Sequence, residues 1–344
     1  MNMLIYIWIF ISVVLISACS DSATSVNPQA GETAYPHYSN MPDIRDNSEN
    51  PITNEKALLG KNLFFEKKLS MDFSMACASC HQSQYSFSSQ GMAVSPTIGG
   101  LNDARNVPPL INIGFYDKYD WDGHSTELES MIYEDFSAMT VFQNDEDTVL
   151  ARLSALPEYK RLYKNAFGTD EITIEGLAQA LAVFVRTIIA GDSKYDRFIR
   201  GDENALNESE KRGMKIFTGK RGQCSVCHTP PLFTDLQYHN TGVTTHYFDF
   251  GRYYVTNKIE DKGKFRTPTL RNIAVTFPYM HNGELETLDE VIEHYSHGGR
   301  PFINKSEFVK RRNFTSHERR DLKAFLNALT DHALFKDKRY RLGL

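Results

Sequence analysis

One five-residue pattern occurs twice in this 344-residue chain, as Cys77-Ala78-Ser79-Cys80-His81 and as Cys224-Ser225-Val226-Cys227-His228. The two copies use every cysteine except Cys19. Paired thiols at this spacing, followed at once by an imidazole, form the attachment signature of c-type haem. The thiols reach the two vinyl groups on one porphyrin edge, and the histidine comes to lie under the iron as its proximal ligand. Other uses of cysteine fit less well. A zinc ribbon wants its two arms roughly 15–20 residues apart, whereas Cys80 and Cys224 are 144 positions apart. A thioredoxin-type pair belongs on the strand-to-helix turn of an alternating βα pattern, and neither motif sits in one. A disulfide across two intervening residues closes too small a loop to stabilise much. The pattern therefore implies two covalently bound c-type haems, with Cys77, Cys80 and His81 holding the first and Cys224, Cys227 and His228 the second.

The chain opens differently. Residues Leu4 to Ile16 form an apolar run broken only by Ser12. A spanning helix needs roughly 20 apolar residues, so this run suits the core of a signal peptide. It ends in Leu15-Ile16-Ser17-Ala18-Cys19, a pattern similar to the lipobox of bacterial lipoproteins, in which the cysteine is lipidated. No Lys or Arg precedes the run, which leaves an uncleaved N-terminal anchor as the alternative. Either way the remainder is expected outside the cytoplasmic membrane, on the periplasmic face, held there only by its N-terminus. Residues 19–50 are rich in Ser, Asn, Asp, Pro and Gly without an apolar period, and read as a flexible tether. A net charge of −5 argues against a nucleic-acid partner, which usually meets a basic excess.

The distance between the motifs divides the rest into two haem domains in tandem, residues 51–205 and 206–344. Thr53 is a candidate N-cap before the first motif, with Glu55 in the first turn. Ile174, Leu177, Leu181, Phe184, Val185 and Ile188 recur at three- and four-residue spacing and predict a helix from Thr173 to Ala190, stopped by Gly191, with Glu175, Gln179 and Arg186 on its polar face. Asn207-Glu208-Ser209-Glu210 starts another helix. Thr287-Leu288-Asp289-Glu290 and Thr315-Ser316-His317-Glu318 fit capping boxes, and Leu322, Phe325, Leu326 and Leu329 follow the latter as a helical stripe. Strand signals are sparse. The expected fold is mostly α, two tandem cytochrome c-like haem domains with long loops.

Several further segments resemble the bacterial di-haem cytochrome c peroxidase and MauG family. Gly60-Lys61-Asn62-Leu63-Phe64-Phe65 leads into the first motif. Trp121-Asp122-Gly123 and Leu128-Glu129 are similar to the family's Trp-Asp-Gly-Arg and Leu-Glu-Glu signatures. Leu181 to Thr187 resembles its inter-haem helix, and Phe233-Thr234-Asp235 with His239-Asn240-Thr241-Gly242-Val243 follows the second motif. Thr267-Pro268-Thr269-Leu270-Arg271-Asn272 and Pro278-Tyr279-Met280-His281-Asn282-Gly283 complete a match running from about Asn50 to Asp331.

The resemblance implies that the first haem meets peroxide, with Glu129 as the distal carboxylate that moves a proton between the two oxygens, and Tyr119 near the usual place of a distal Gln. It implies that the second haem relays electrons, with Tyr295 at the position of its second axial ligand, the arrangement of the MauG branch; Met280, His281, His294 and His297 are competing candidates. No histidine lies between His81 and His124, so the distal histidine that blocks many resting family members is missing from the usual loop. His124 takes the Arg place of Trp-Asp-Gly-Arg and is a candidate for the distal pocket. Ile111 stands where an inter-haem Trp is expected. A calcium ion would take the carbonyls of Thr276 and Pro278 and the side chain of Asn102. The implied activity is reduction of hydrogen peroxide with electrons from a small cytochrome c or cupredoxin. The alternatives are oxidation of residues on a partner protein, as MauG does, or non-catalytic electron transfer.

Overall fold

The structure, a computed structural model, describes residues 34–45, 47–94, 105–138 and 141–341. The apolar leader, Cys19 and Asn102 lie outside the described residues. Thr53 opens the first helix as its chemistry suggests: it is extended, at φ −124°, and its hydroxyl accepts from the Lys56 N–H. That helix, α1 (Asn54–Phe64), crosses α6 (Ile174–Arg186) so closely that a Cβ on Gly60 would stand 2.0 Å from the Ala180 carbonyl oxygen. Only glycine permits the crossing. It brings Phe64 against Phe184, with ring centroids 5.2 Å apart, and against Phe87 at 5.7 Å.

The second half repeats this unit. Helix α8 (Glu208–Thr218), capped by Asn207 and Glu210, crosses α11 (Ser316–Asn327), capped by Thr315 and Glu318. Gly213 takes the place of Gly60, with 2.0 Å from its would-be Cβ to the Asp321 carbonyl oxygen. Phe217, Phe325 and Phe233 replace Phe64, Phe184 and Phe87. The segments that follow each motif also correspond: Asn112 and Asn272 both adopt the left-handed region, at φ 62° and 57°. Both Tyr119 and Tyr279 then donate backbone hydrogen bonds across a turn, to Ser125 and Leu285. The chain is thus mostly α, built as two helix crossings each carrying one Cys-x-x-Cys-His motif.

Between these crossings run α2 (Cys77–Cys80), α3 (Leu128–Ser137), α4 (Glu146–Ser154), α5 (Pro157–Phe167) and α7 (Lys194–Ile199), then α9 (Tyr253–Thr256) and α10 (Leu288–His297). Among the described residues the strands are β1 (Tyr238–His239) and β2 (Phe265–Arg266), paired antiparallel. Two apolar cores result, one for each crossing.

Two expectations change. Helix α6 ends at Arg186 rather than Ala190: the Thr187 hydroxyl turns back onto the Phe184 carbonyl (2.6 Å), and the carbonyls of Ile188 and Ala190 accept from Asn112 instead. Residues 34–45 and 47–50, whose composition suggested a tether, are tied down as a strap. Asn40 donates to Asp196 (2.7 Å), Arg45 N–H to the Gly114 carbonyl (3.1 Å), and Asn50 to the Gln179 carbonyl (3.0 Å).

Candidate active site

Cys77 and Cys80 stand one turn apart in α2, so both sulfurs leave the same face of the helix. The second pair sits on a tight turn over Cys224–Val226. None of the four forms a disulfide. The His81 Nδ1 lies 2.9 Å from the Phe87 carbonyl oxygen, and the His228 Nδ1 lies 3.1 Å from that of Phe233. A carbonyl only accepts, so each Nδ1 carries the proton and each Nε2 keeps its lone pair for a metal. Burial pushes both imidazole pKa values down, that of His81 to about 4, so both rings are neutral ligands at neutral pH.

Helix α3 links the first motif to a carboxylate cluster. Its Asp135 is close enough to the Cys77 thiol to act on its charge, and Glu129 lies in its first turn, six residues or about 9 Å of helix away. Arg186, at the end of α6, grips Glu129 with both arms: Nη1 to Oε1 at 2.5 Å and Nη2 to Oε2 at 2.7 Å. Asn50 (2.7 Å) and Asn47 (3.2 Å) of the strap also donate to Oε1. Burial works against the charge, but hydrogen bonds from Arg186 and Asn50 outweigh it and hold the carboxyl below its usual range. Tyr119, buried and facing Arg186, has its hydroxyl pushed up by desolvation and stays protonated. With four N–H donors on it, Glu129 is ionised and a weak base as it stands. Three of the four donors crowd Oε1, whereas Oε2 accepts only from Arg186 and keeps a lone pair open to a proton.

Against the second motif lies a mostly apolar cavity. Cys224, Cys227, His228, Met280, His281 and Tyr295 all reach its wall. Tyr295, on α10, is buried there, and desolvation above all, with Cys227 and Cys224 beside it, pushes its hydroxyl up. Arg266 lines the same cavity with its Nη1 buried and unpartnered, and beside the first motif the hydroxyls of Ser86 and Ser89 are likewise buried and unpartnered. Orphaned donors of this kind call for a partner. The propionates of a haem are anionic acceptors of the right chemistry, so the residues present fit the group at both motifs.

A family model described as di-haem cytochrome c peroxidase matches residues 54–204. Over 329 residues the chain is 35% identical to cytochrome-c peroxidase IdrP1 of Pseudomonas sp. (strain SCT), covering 86% of each. The chain belongs to the di-haem cytochrome c peroxidase and MauG family. It is also 34% identical over 319 residues to the methylamine utilization protein MauG of Methylorubrum extorquens, covering 91% of this chain and 90% of that one. A solved MauG-like protein associated with microbial copper homeostasis superposes with a TM-score of 0.84 at 31% identity, over 88% of this chain and 97% of that chain.

Within this di-haem peroxidase fold the competing residues sort themselves. His294 gives its Nε2 to the Thr241 carbonyl (3.0 Å), and His297 is a surface residue 3.5 Å from Glu293. His281 is stacked on Phe265 with centroids 3.6 Å apart. His124 is exposed, its backbone N–H on the Asp122 carboxylate. Arg186 is a correction: expected on a polar face, it is 6% exposed. A charged residue ending an otherwise apolar helix was the available signal. Nothing local marked Asn47, Asn50 or Arg266. Thr276 and Pro278 line the second cavity, whereas Asn102 lies outside the described residues. Trp121 donates its indole N–H to the Asn106 carbonyl (2.7 Å) on the wall of that cavity, two residues from Tyr119.

Proposed function

We propose that this protein reduces hydrogen peroxide to two waters at the first motif, using two protons and two electrons that enter singly through the second. A bound c-type haem supplies the iron that takes up the oxidising equivalents. The chain supplies the proton handling: Glu129, through its less crowded Oε2, accepts a proton from the near oxygen of peroxide and returns it to the leaving oxygen, while Arg186 and Tyr119 hold the carboxylate in place. The observation that carries this reading is the convergence of Glu129, Arg186 and Tyr119 at the N-terminal end of α3. The lack of a histidine between His81 and His124 supports a first site that reacts without prior reduction of the second. Electrons come from a small redox protein. The protein is placed on the periplasmic face through its N-terminal anchor, and calcium at Thr276, Pro278 and Asn102 is part of the same reading.

Tyr295 favours a second use of the same site, the oxidation of residues on a partner protein. A phenolate is an anionic ligand that stabilises oxidised iron. Glu129→Gln tests the main reading. The amide keeps the shape but cannot carry a proton, so stopped-flow peroxide cleavage should slow by about 10²–10⁴-fold with both haems retained. A rate within a few-fold of wild type would remove Glu129 from the chemistry.

A further inference from the structure

Charge is divided unevenly along the chain. Residues 1–205 carry 15 Lys and Arg against 27 Asp and Glu, whereas residues 206–344 carry 23 against 16. The basic half is the one that holds the second motif. A polar groove runs beside the second cavity and shares His239, Ser306 and Phe308 with it. Lys118, Arg252, Lys258 and Lys264 line this groove against Asp261 and Glu307. Asp261 is already committed to Lys264 (3.1 Å) and to the Thr256 hydroxyl (2.8 Å). Among the described residues Lys118 and Lys258 make no ion pair, so the groove keeps a net positive face.

Apolar side chains stand out around it. Phe248 is 97% exposed, Ile303 90% and Ile259 68%. Single exposed apolar residues are ordinary, but these belong to three loops, those of Phe248 and Ile259 each bound to that of Ile303. Asn304 donates to the carbonyls of Glu260 and Lys262 at 2.8 and 2.7 Å, and the Tyr247 ring meets Phe302 at 4.7 Å. A positive groove with an apolar rim, opening beside the second pocket, suits a transient protein contact steered by charge.

We propose that this groove docks an acidic redox protein, whose carboxylates meet Lys118 and Lys258 while its apolar cofactor edge meets Phe248 and Ile303. The inference rests on the peroxidase reading and names the partner's chemistry. At each encounter the reduced partner would give up one electron and be oxidised, and a haem held by Cys224, Cys227 and His228 would accept that electron. Two encounters supply one peroxide.

The test uses the full protein with both haems and two reduced c-type cytochromes, one of net negative and one of net positive charge. The acidic cytochrome should bind more tightly, and its Kd should rise by about tenfold or more as screening shortens from low salt to physiological ionic strength. The double variant Lys118→Glu/Lys258→Glu should weaken that binding by about tenfold or more. Peroxide turnover with a small neutral phenolic donor should stay unchanged. Preference for the basic cytochrome, salt-independent binding, or a variant that binds like wild type would each overturn the proposal. So would phosphatidylglycerol vesicles that bind wild type but not the variant while the acidic cytochrome ignores both. Acidic-cytochrome binding without turnover on any donor would instead sink the peroxidase reading and leave the docking site standing.

Discussion

Glu129 is held by four N–H donors, and in the proposed proton-carrying role these would set its working range. Arg186 is the largest opponent of the desolvation that would otherwise neutralise the carboxyl. In Arg186→Gln the burial remains and the guanidinium is gone, so the carboxyl pKa should rise above its ordinary value of 4.5. If ionised Glu129 is the base, the acidic limb of the peroxide-cleavage pH profile moves to higher pH, whereas in wild type it lies below the ordinary carboxylate range. A limb that stays put would mean another group takes the proton. Tyr295 poses a second question at this scale. Its hydroxyl is desolvated beside both attachment thiols, a site where a free phenol would stay protonated but where an iron would draw it into the phenolate form. Tyr295→Met replaces an anionic oxygen by a neutral thioether, so the reduction potential of the second haem should rise and any oxidation of a partner protein should be lost. An unchanged low-spin signal and potential would leave Tyr295 as a buried tyrosine near Thr241 and make Met280, on the wall of the same cavity, the ligand.

At the scale of elements, each half depends on a helix crossing with no room for a side chain. Gly213→Ala would place a methyl 2.0 Å from the Asp321 carbonyl oxygen and 2.8 Å from the Phe325 Cβ, both on α11. Neither backbone nor a buried Phe stem yields easily, so overpacking should destabilise the protein by about 1–3 kcal/mol. Denaturant melts of the haem-loaded protein measure this, and a change under about 0.5 kcal/mol, the scale of a neutral surface substitution, would show that the helices slide apart freely. These helices were largely legible in the sequence because their signals are local. Thr53, Asn207, Thr287 and Thr315 each cap the helix their own side chains announced. The haem motifs were legible for the same reason. The end of α6 was not, since Thr187 and Asn112 settle it across 75 residues of chain. Nor was the strap. Asn40, Asn47 and Asn50 belong to a polar stretch without period, and their meaning lies in partners more than 75 residues away, Glu129 and Asp196. Composition reads such a segment as loose because it cannot see those partners.

The two halves are not independent bodies, because each completes its aromatic cluster with a residue borrowed from the far side of the chain. Tyr195 precedes the second helix crossing yet packs on Phe233 and Phe325 in the second core. Tyr340 follows that crossing yet returns to the first core, buried to 1% exposure, edge-on to Phe87 and near Phe184. Its hydroxyl donates to the Thr187 carbonyl just past α6. Asp196 and Arg271 reinforce the exchange as a buried bidentate pair at 2.8 and 2.9 Å. A chain wired this way should unfold in one cooperative step. Tyr340→Ala empties a site inside the first core and should cost about 3–5 kcal/mol. Tyr340→Phe keeps the ring and strands only the Thr187 carbonyl, costing about 1–3 kcal/mol. Calorimetry of the haem-loaded protein should therefore show a single transition in wild type, shifted down more by the alanine than by the phenylalanine variant. Two separated transitions in wild type, with Tyr340→Ala moving only the one that melts the first core, would mean that the borrowed residues decorate the halves without coupling them.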